Sequence, residues 1–289
     1  MADQVAAPLL VVDAPSMLYR AFFALPKSIK GAEGQPVNAL LGTANLVVRE
    51  VGEHDPRAVV LCFGAEAAHY RVELYSGYHA DRPEMPELLV PQWEASGGFF
   101  ESFGWRVEQH ETLEADDLLG SLALAETAAG GRTLLMTGDR DMFQCVDEHV
   151  TVLYPTKGVR GMEPVGPAEV RERYGIDPAQ VPDFIALRGD PSDGIPGAKG
   201  IGEKTAADLL RRYGNLDRVL ENALEQSTPR IRGALRDGRD EILAYREMAT
   251  LQDAGVSRPP DAPTDWAAGA DAAERFGMNA LAERLREMG

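Results

Sequence analysis

The chain has 289 residues, 44% of them hydrophobic and 26% charged, which suits one large soluble domain or two modest ones. No apolar run approaches the roughly 20 residues that span a bilayer, and the acidic start lacks the order of a signal peptide. With 29 Lys and Arg against 46 Asp and Glu, the net charge is −17, the wrong sign for a typical nucleic-acid binder. Such a binder would need its acids gathered around metal ions and its basic residues along one face. The isolated Cys62 and Cys145 indicate buried thiols in a reducing cytoplasm.

Short apolar runs alternate with helical patterns along the first part of the chain. The predicted strands are 9–13, 58–63, 133–137 and 151–154. Between them, residues 38–53 and 114–129 have helical periodicity. Strands that alternate with helices predict a parallel α/β sheet.

After about residue 165 the strand signal disappears. Helical patterns follow at 167–174, 178–187 and 204–213, and the first two open with proline, a favoured first helical residue. A proline-rich connector at 257–263 precedes one last helix. We therefore predict an α/β core over residues 1–165 and a helical DNA-binding region over 166–289.

Carboxylates cluster at the ends of four predicted elements. They are Asp13, Glu114, Asp116, Asp117, Asp139, Asp141, Asp190 and Asp193. Ligands of parallel sheets collect outside the carboxyl ends of the strands, so we expect these acids to meet. Each group alone is also typical of a helix cap or a turn, but four groups at four element ends favour a shared site.

An acidic cluster of this kind predicts a metal centre. Close carboxylate pairs repel by up to about 4 kcal/mol at an effective dielectric near 20, so they must shift their pKa values or bind cations. Oxygen donors without neighbouring His or Cys suit magnesium or manganese. Two such ions about 4 Å apart can activate a water and stabilise a leaving oxygen in phosphoryl displacement.

A glycine-rich segment between two predicted helices is the most specific local motif. Gly197, Gly200 and Gly202 let backbone amides approach phosphates closely, and Lys199 and Lys204 add positive charge. A glutamate separates the last glycine from the lysine, so the segment is not a Walker loop. It fits a helix-hairpin-helix that grips one DNA backbone without reading bases, and the alternative is a purely structural turn.

With these residues in view, the chain resembles the bacterial 5′-nuclease family, which includes the N-terminal 5′–3′ exonuclease domain of DNA polymerase I. The resemblance rests on VD with LYRAFFAL, EADD, TGDRD, LRGDPSD, and IPG with GEKTA, which run along nearly the whole chain. It implies a PIN-like parallel-sheet core with a helical arch and a C-terminal helix-two-turn-helix. The family's metal-binding acids fall on the eight carboxylates above, with magnesium or manganese as the implied ions, and a potassium ion is implied among the hairpin carbonyls.

The resemblance also implies residues that meet the substrate, which is DNA with 5′ ends or flaps. Arg20, Arg71, Tyr78 and Arg82 would meet the scissile phosphate and the displaced nucleotide, whereas Tyr78 and Arg82 by themselves favour a packed aromatic and a solvated charge. No polymerase-sized extension follows residue 289, so we expect a stand-alone, monomeric nuclease without membrane contact.

Two positions depart from the family pattern. The usual Phe-Asp-Ala after the second strand is here Phe-Gly64-Ala, which removes one metal-site aspartate, and the usual Gly-Tyr-Lys ends in His79. His79 replaces a fixed cation with a titratable one.

Three functions therefore compete. The first is a 5′–3′ exonuclease and flap endonuclease of replication or repair. The second is a structure-selective DNA-binding protein whose catalysis has decayed through Gly64 and His79. The third is a PIN-type ribonuclease, which would lack the glycine-rich hairpin.

Overall fold

A six-stranded sheet forms the centre of the protein in a computed structural model that describes residues 6–156, 161–226 and 228–289. The strands are β1 (Leu9–Asp13), β2 (Ala58–Phe63), β3 (Arg106–Gln109), β4 (Thr133–Met136), β5 (Val150–Pro155) and β6 (Met162–Val165). Their order is β3-β2-β1-β4-β5-β6. The first five are parallel, and β6 runs antiparallel to β5.

Helices cover both faces of this sheet. They are α1 (Ala14–Ala24), α2 (Asn38–His54), α3 (His69–Leu74), α4 (Val90–Glu101), α5 (Ala115–Ala128), α6 (Pro167–Tyr174), α7 (Val181–Arg188), α8 (Glu203–Tyr213), α9 (Leu216–Glu221), α10 (Pro229–Asp237), α11 (Arg239–Ala249), α12 (Trp266–Arg275) and α13 (Asn279–Met288). Short 3-10 helices lie at Asp141–Cys145, Pro178–Gln180 and Ala223–Glu225.

Central strand β1 shows why the sheet is covered on both sides. All five of its residues are buried, as expected of a parallel strand between two helical layers. Leu9 and Val11 point into a core shared with α5, α7, α8 and α11. Leu10 and Val12 point into a second core with α1, α2, α4, α12 and α13. The strand ends at Asp13, where both layers open.

The predicted parallel α/β sheet and the helical second part are confirmed. The sequence patterns missed β3 and β6. Strand β3 lies at the sheet edge with a polar, partly exposed sequence, and β6 contains a proline and pairs on one side only. The expected last helix is two helices, α12 and α13, and both pack against the α/β core rather than among the other C-terminal helices.

The segment between β2 and α4 has little regular structure. It contains the six-residue helix α3, which is followed by turns and irregular backbone as far as residue 89. The backbone of His79 donates to the Asp193 carbonyl at 3.2 Å, so this segment, residues 64–89, is joined to the loop after α7. Within the described ranges, no helix combines the length and apolarity needed to cross a membrane.

Candidate functional site

A cleft of about 620 Å³ opens at the carboxyl edge of the parallel strands. Strand ends β1 and β4, the start of α5 and the loop after α7 each supply carboxylates to it. The acids that line it are Asp13, Glu66, Glu114, Asp116, Asp139, Asp141, Asp190 and Asp193. The structure therefore brings together seven of the eight predicted acids.

Four of these acids form the cleft floor: Asp13, Asp116, Asp139 and Asp141. No ion pair among the described residues involves any of them. Asp13 accepts hydrogen bonds from the Ser16 amide at 3.0 Å and the Thr137 hydroxyl at 2.7 Å. Asp139 accepts from the Asp141 amide at 2.9 Å. Two of the four floor carboxylates thus accept hydrogen bonds, and none forms an ion pair among the described residues.

The electrostatics of the cleft floor follow from that arrangement. Burial, and then the charges of Asp139 and Asp13, raise the pKa of Asp116 well above its usual range. Burial, and then Asp193, raise the pKa of Asp139 to about 7. Burial likewise raises the pKa of Asp13 and, more strongly, of Asp141. Because burial outweighs the charges of Arg82 near Asp13 and Arg71 near Asp116, and no floor acid forms an ion pair among the described residues, the floor fits divalent cations bound through oxygen.

Three further acids form the cleft rim, where each already has a partner. Asp190 pairs with Arg188 at 3.0 Å, and Asp193 lies 3.3 Å from the ring of His79. Glu114 accepts from the Ala68 amide at 2.7 Å and the Tyr78 hydroxyl at 3.1 Å. It also contacts the Arg71 guanidinium at 3.0 Å.

Asp117 is placed differently from the other seven acids. It is fully buried and does not line the cleft. Its oxygens accept from the Arg71 guanidinium at 3.1 and 3.2 Å, the Gln252 amide at 2.8 Å and the Glu114 amide at 3.1 Å. The carboxylate that the sequence assigns to metal binding is thus occupied by protein donors.

Arg71 lines the cleft from a buried position and joins three parts of the chain. Besides Asp117 and Glu114, its Nε donates to the Met248 carbonyl at the end of α11, at 2.8 Å. It is 4% exposed, and the nearby carboxylates raise its pKa against the opposing effect of burial. We call Arg71, Tyr78, Glu114 and Asp117 the buried clamp. Arg71 and Tyr78 were predicted to meet DNA; both line the cleft, and both also bond within this clamp.

The other predicted substrate residues lie around the cleft mouth. His79 stacks on Tyr78 with ring centroids 4.1 Å apart, and its Nδ1 lies 3.0 Å from the Glu66 carbonyl. Arg82 is exposed, lines the cleft and donates to the same carbonyl at 2.9 Å. Arg20 lies on α1 beside Gly138 in a neighbouring depression, and it donates to the Thr156 carbonyl at 3.2 Å.

Gly64 occupies the position where the family pattern has an aspartate. A Cβ added there would lie 2.6 Å from the Glu114 Cα, among backbone atoms at the start of α5. This contact needs a residue without a side chain. The start of α5 therefore approaches the end of β2 more closely than an aspartate at 64 would allow.

The predicted hairpin follows the loop of the rim acids. Asp190 and Ile195 exchange two backbone hydrogen bonds of 2.8 Å, and the Ala198 amide bonds to the Leu187 carbonyl at 2.9 Å. Gly197 to Gly202 then lead into α8, which begins at Glu203. Lys199 and Lys204 are exposed. The structure thus places the predicted backbone grip next to the cleft.

Several contributors to the cleft were missed at the sequence level. Thr137 orients Asp13, the Glu66 carbonyl holds both His79 and Arg82, and Met248 to Leu251 form one wall. Thr137 directly follows β4, so its place could have been inferred. The wall lies more than a hundred residues after the floor acids in the sequence, and no local pattern indicates that it reaches the cleft.

A second acidic group lies outside the cleft. It consists of Glu50, Glu53 and His54 on α2. Each offers one potential metal-ligand atom, and these three atoms lie within 4.8 Å of one another; this is the group of that kind found among the described residues. Glu50 already pairs with His54 at 3.5 Å.

Comparison with known proteins agrees with this geometry. The model "5'-3' exonuclease, N-terminal resolvase-like domain" matches residues 8–175, and "5'-3' exonuclease, C-terminal SAM fold" matches residues 176–262. A 5'-3' exonuclease of Streptomyces coelicolor is 36% identical over 300 residues, covering 96% of this chain and 98% of the relative. DNA polymerase I of Mycobacterium tuberculosis is 35% identical over 261 residues, 90% of this chain but only 29% of the polymerase.

Solved structures share the fold at low sequence identity. The T5 D15 protein, co-crystallised with metal ions, superposes with a TM-score of 0.72 at 14% identity, covering 97% of this chain and 98% of its own. The catalytic core of Rad2, in complex with DNA substrate, gives 0.63 at 15% identity, with 98% and 92% covered.

Proposed function

Because the chain belongs to the 5′-3′ exonuclease family, we propose that this nuclease hydrolyses DNA phosphodiesters at 5′ ends and flaps with magnesium or manganese. The observation that carries the proposal is the cleft floor: four carboxylates without a cationic partner among the described residues, at the carboxyl ends of β1 and β4 and the start of α5. An all-oxygen donor set of this kind selects hard divalent ions.

In this proposal the chain's own residues divide the work. Asp13, Asp116, Asp139 and Asp141 hold the divalent ions, and Asp190 and Asp193 complete the donor set from the rim. When bound, such ions lower the pKa of a water and neutralise charge on the phosphate. Arg82 and His79, at the cleft mouth, attract the phosphate. Arg20 contacts the DNA beside the cleft from α1.

The remaining predicted residues support this site. The buried clamp fixes the start of α5, and with it Asp116, because Arg71 and Tyr78 together hold Glu114. Gly197, Lys199, Gly200, Gly202 and Lys204 hold the duplex backbone, with a potassium ion among the hairpin carbonyls. Structural neighbours crystallised with DNA, including Rad2 with DNA substrate, support DNA as the ligand.

A 5′-labelled DNA flap tests the proposal. We expect cleavage near the junction with magnesium or manganese and none in excess EDTA. A matched RNA flap should be a poorer substrate. Tight flap binding without product under any divalent ion would instead establish the competing function, a structure-selective DNA-binding protein with decayed catalysis.

That competing function draws on Gly64 and His79, and the structure gives each an alternative explanation. Gly64 accommodates the backbone of α5, and His79 keeps a contact with Asp193. Both residues are integrated into the site, which favours an active enzyme.

A further inference from the structure

Arg230, at the start of α10, lies against the predicted hairpin although it is thirty residues away in sequence. A Cβ added to Gly200 would lie 2.8 Å from the Arg230 Cζ and 3.0 Å from its Nη2. Gly200 also has a φ of +85°, which disfavours any side chain. The glycine therefore provides both the turn and the seat for a guanidinium.

Arg230 also differs from several arginines of the C-terminal helices. It is exposed, and none of the ion pairs among the described residues includes it. Three arginines of these helices are paired: Arg211 with Asp208, Arg236 with Asp237 and Arg246 with Asp217. In a protein of net charge −17, an uncompensated guanidinium on the hairpin is available for an anion.

Two further cations share this surface. Lys199 precedes Gly200 directly, and Lys204 lies in the first turn of α8; both are exposed and neither has an ion pair among the described residues. Glu203, beside Lys204, is the opposing charge on the same turn. The hairpin surface thus combines exposed glycine backbone with three cations from two separate segments.

We propose that Arg230 is a phosphate-binding residue that makes the hairpin a two-segment grip on duplex DNA, an inference that rests on the proposed function above. The planar guanidinium can donate two parallel hydrogen bonds to one phosphate, whereas Lys199 and Lys204 act as point charges. Because the Asp190–Ile195 hydrogen bonds fix the hairpin beside the cleft, the grip sets how far the duplex lies from the cleft floor.

The test compares Arg230→Gln with Arg236→Gln in the full chain. Arg236 is exposed on the same helix, but its guanidinium is bound to Asp237 at 2.6 and 2.9 Å. Arg230→Gln should weaken binding of a blunt duplex roughly three- to tenfold, whatever its sequence, and lower the slope of log K against log salt by about 0.9. Arg236→Gln should change neither. Arg230→Lys should restore the slope but only part of the affinity.

Binding of Arg230→Gln that matches Arg236→Gln in both affinity and salt slope would overturn the inference and leave Arg230 as a packing residue on Gly200. The double variant Lys199→Ala/Lys204→Ala separates this from failure of the proposed function. If it loses affinity while Arg230→Gln does not, the hairpin binds DNA without Arg230. If the wild-type protein binds no duplex, the inference and the proposed function fail together. Melting curves of each variant confirm that folding is unchanged.

Discussion

The cleft floor and the buried clamp lie next to each other, yet their carboxylates differ in charge compensation. The clamp carboxylates pair with Arg71, whereas the floor carboxylates form no ion pair among the described residues. Asp116 and Asp117 are neighbours at the start of α5. Asp116 faces the cleft with acids around it and a raised pKa. Asp117 faces inward, where Arg71 and backbone amides neutralise it. The difference indicates that a run of adjacent acids can contain both candidate ligands and supporting residues, and that charge compensation distinguishes them.

The largest expected effect comes from removing a floor carboxylate. Asp139→Asn should lower the flap cleavage rate about a thousandfold or more, since divalent ions supply several kcal/mol of charge stabilisation. It should not harm folding. Full activity of this variant would contradict the metal role of the floor.

The stability of the same variant gives an independent readout. With its pKa near 7, Asp139 binds a proton more tightly in the folded than in the unfolded state. Metal-free wild-type protein should therefore lose stability as pH rises from about 4 towards 7. In thermal melts, Asp139→Asn should flatten this decline of stability with pH. A divalent ion should restore the stability of the wild-type protein at pH 8.

Removal of the Asp117 charge from the clamp should affect stability rather than metal binding. Asp117→Asn removes a charge that is paired and buried, so it should lower the free energy of unfolding by about 3–5 kcal/mol. Urea denaturation measures this, with Asp116→Asn as the adjacent control that should not destabilise. Binding of a divalent ion to the folded Asp117→Asn protein should persist, because Asp117 does not line the cleft. Loss of metal binding without loss of stability would return Asp117 to the ligand set.

The floor and the clamp show how much of the site could be predicted from the sequence. Asp13, Asp139 and Asp141 were predictable because apolar runs mark strands, and parallel strand ends meet at one edge. The inward turn of Asp117 depends on Arg71, 46 residues away, and on Gln252, 135 residues away. Periodicity carries no information about such long-range partners.

The same limit applies to strands and to glycines. Apolar runs mark central strands, so the polar edge strand β3 and the proline-containing β6 gave no signal. At Gly64 the sequence indicates a missing acid but not the backbone of Glu114 packed against it.

Gly64→Asp sharpens the comparison at the boundary between floor and clamp. The sequence alone suggests that the added acid would strengthen metal binding. In the structure its Cβ would meet the backbone of α5, so we expect a loss of about 1–3 kcal/mol from overpacking and no gain in metal affinity. Gly64→Ala should lose stability similarly. Gly98→Ala, on α4 with open space around it, is the matched control and should be neutral or slightly stabilising. A lower half-saturating metal concentration for Gly64→Asp would show that α5 can retreat.

The smallest effect concerns His79, where the mouth of the cleft meets the rim. Burial opposes its charge, but the hydrogen bond to Asp193 and the charge of Glu114 raise its pKa above the usual 6.5. A group whose pKa is raised in the folded state contributes its full stabilisation at pH values below its unfolded-state pKa. That stabilisation is lost as pH rises through its folded-state pKa. His79→Asn removes the charge and suits the φ of +52°, because asparagine tolerates that region. The stability difference between wild type and His79→Asn, measured without metal, should therefore shrink as pH rises above about 6.5.

Cleavage offers the matching kinetic comparison for His79. If protonated His79 attracts the phosphate as a lysine would, its contribution fades with rising pH, whereas a lysine keeps its charge. The ratio of His79→Lys to wild-type cleavage rates should then rise between about pH 6 and 9, which brackets an ordinary imidazole pKa. The ratio is the correct measure because deprotonation of the attacking water accelerates both proteins with pH. A ratio that stays constant across this range, together with an unchanged stability difference, would limit His79 to holding the Glu66 carbonyl and Asp193 in place.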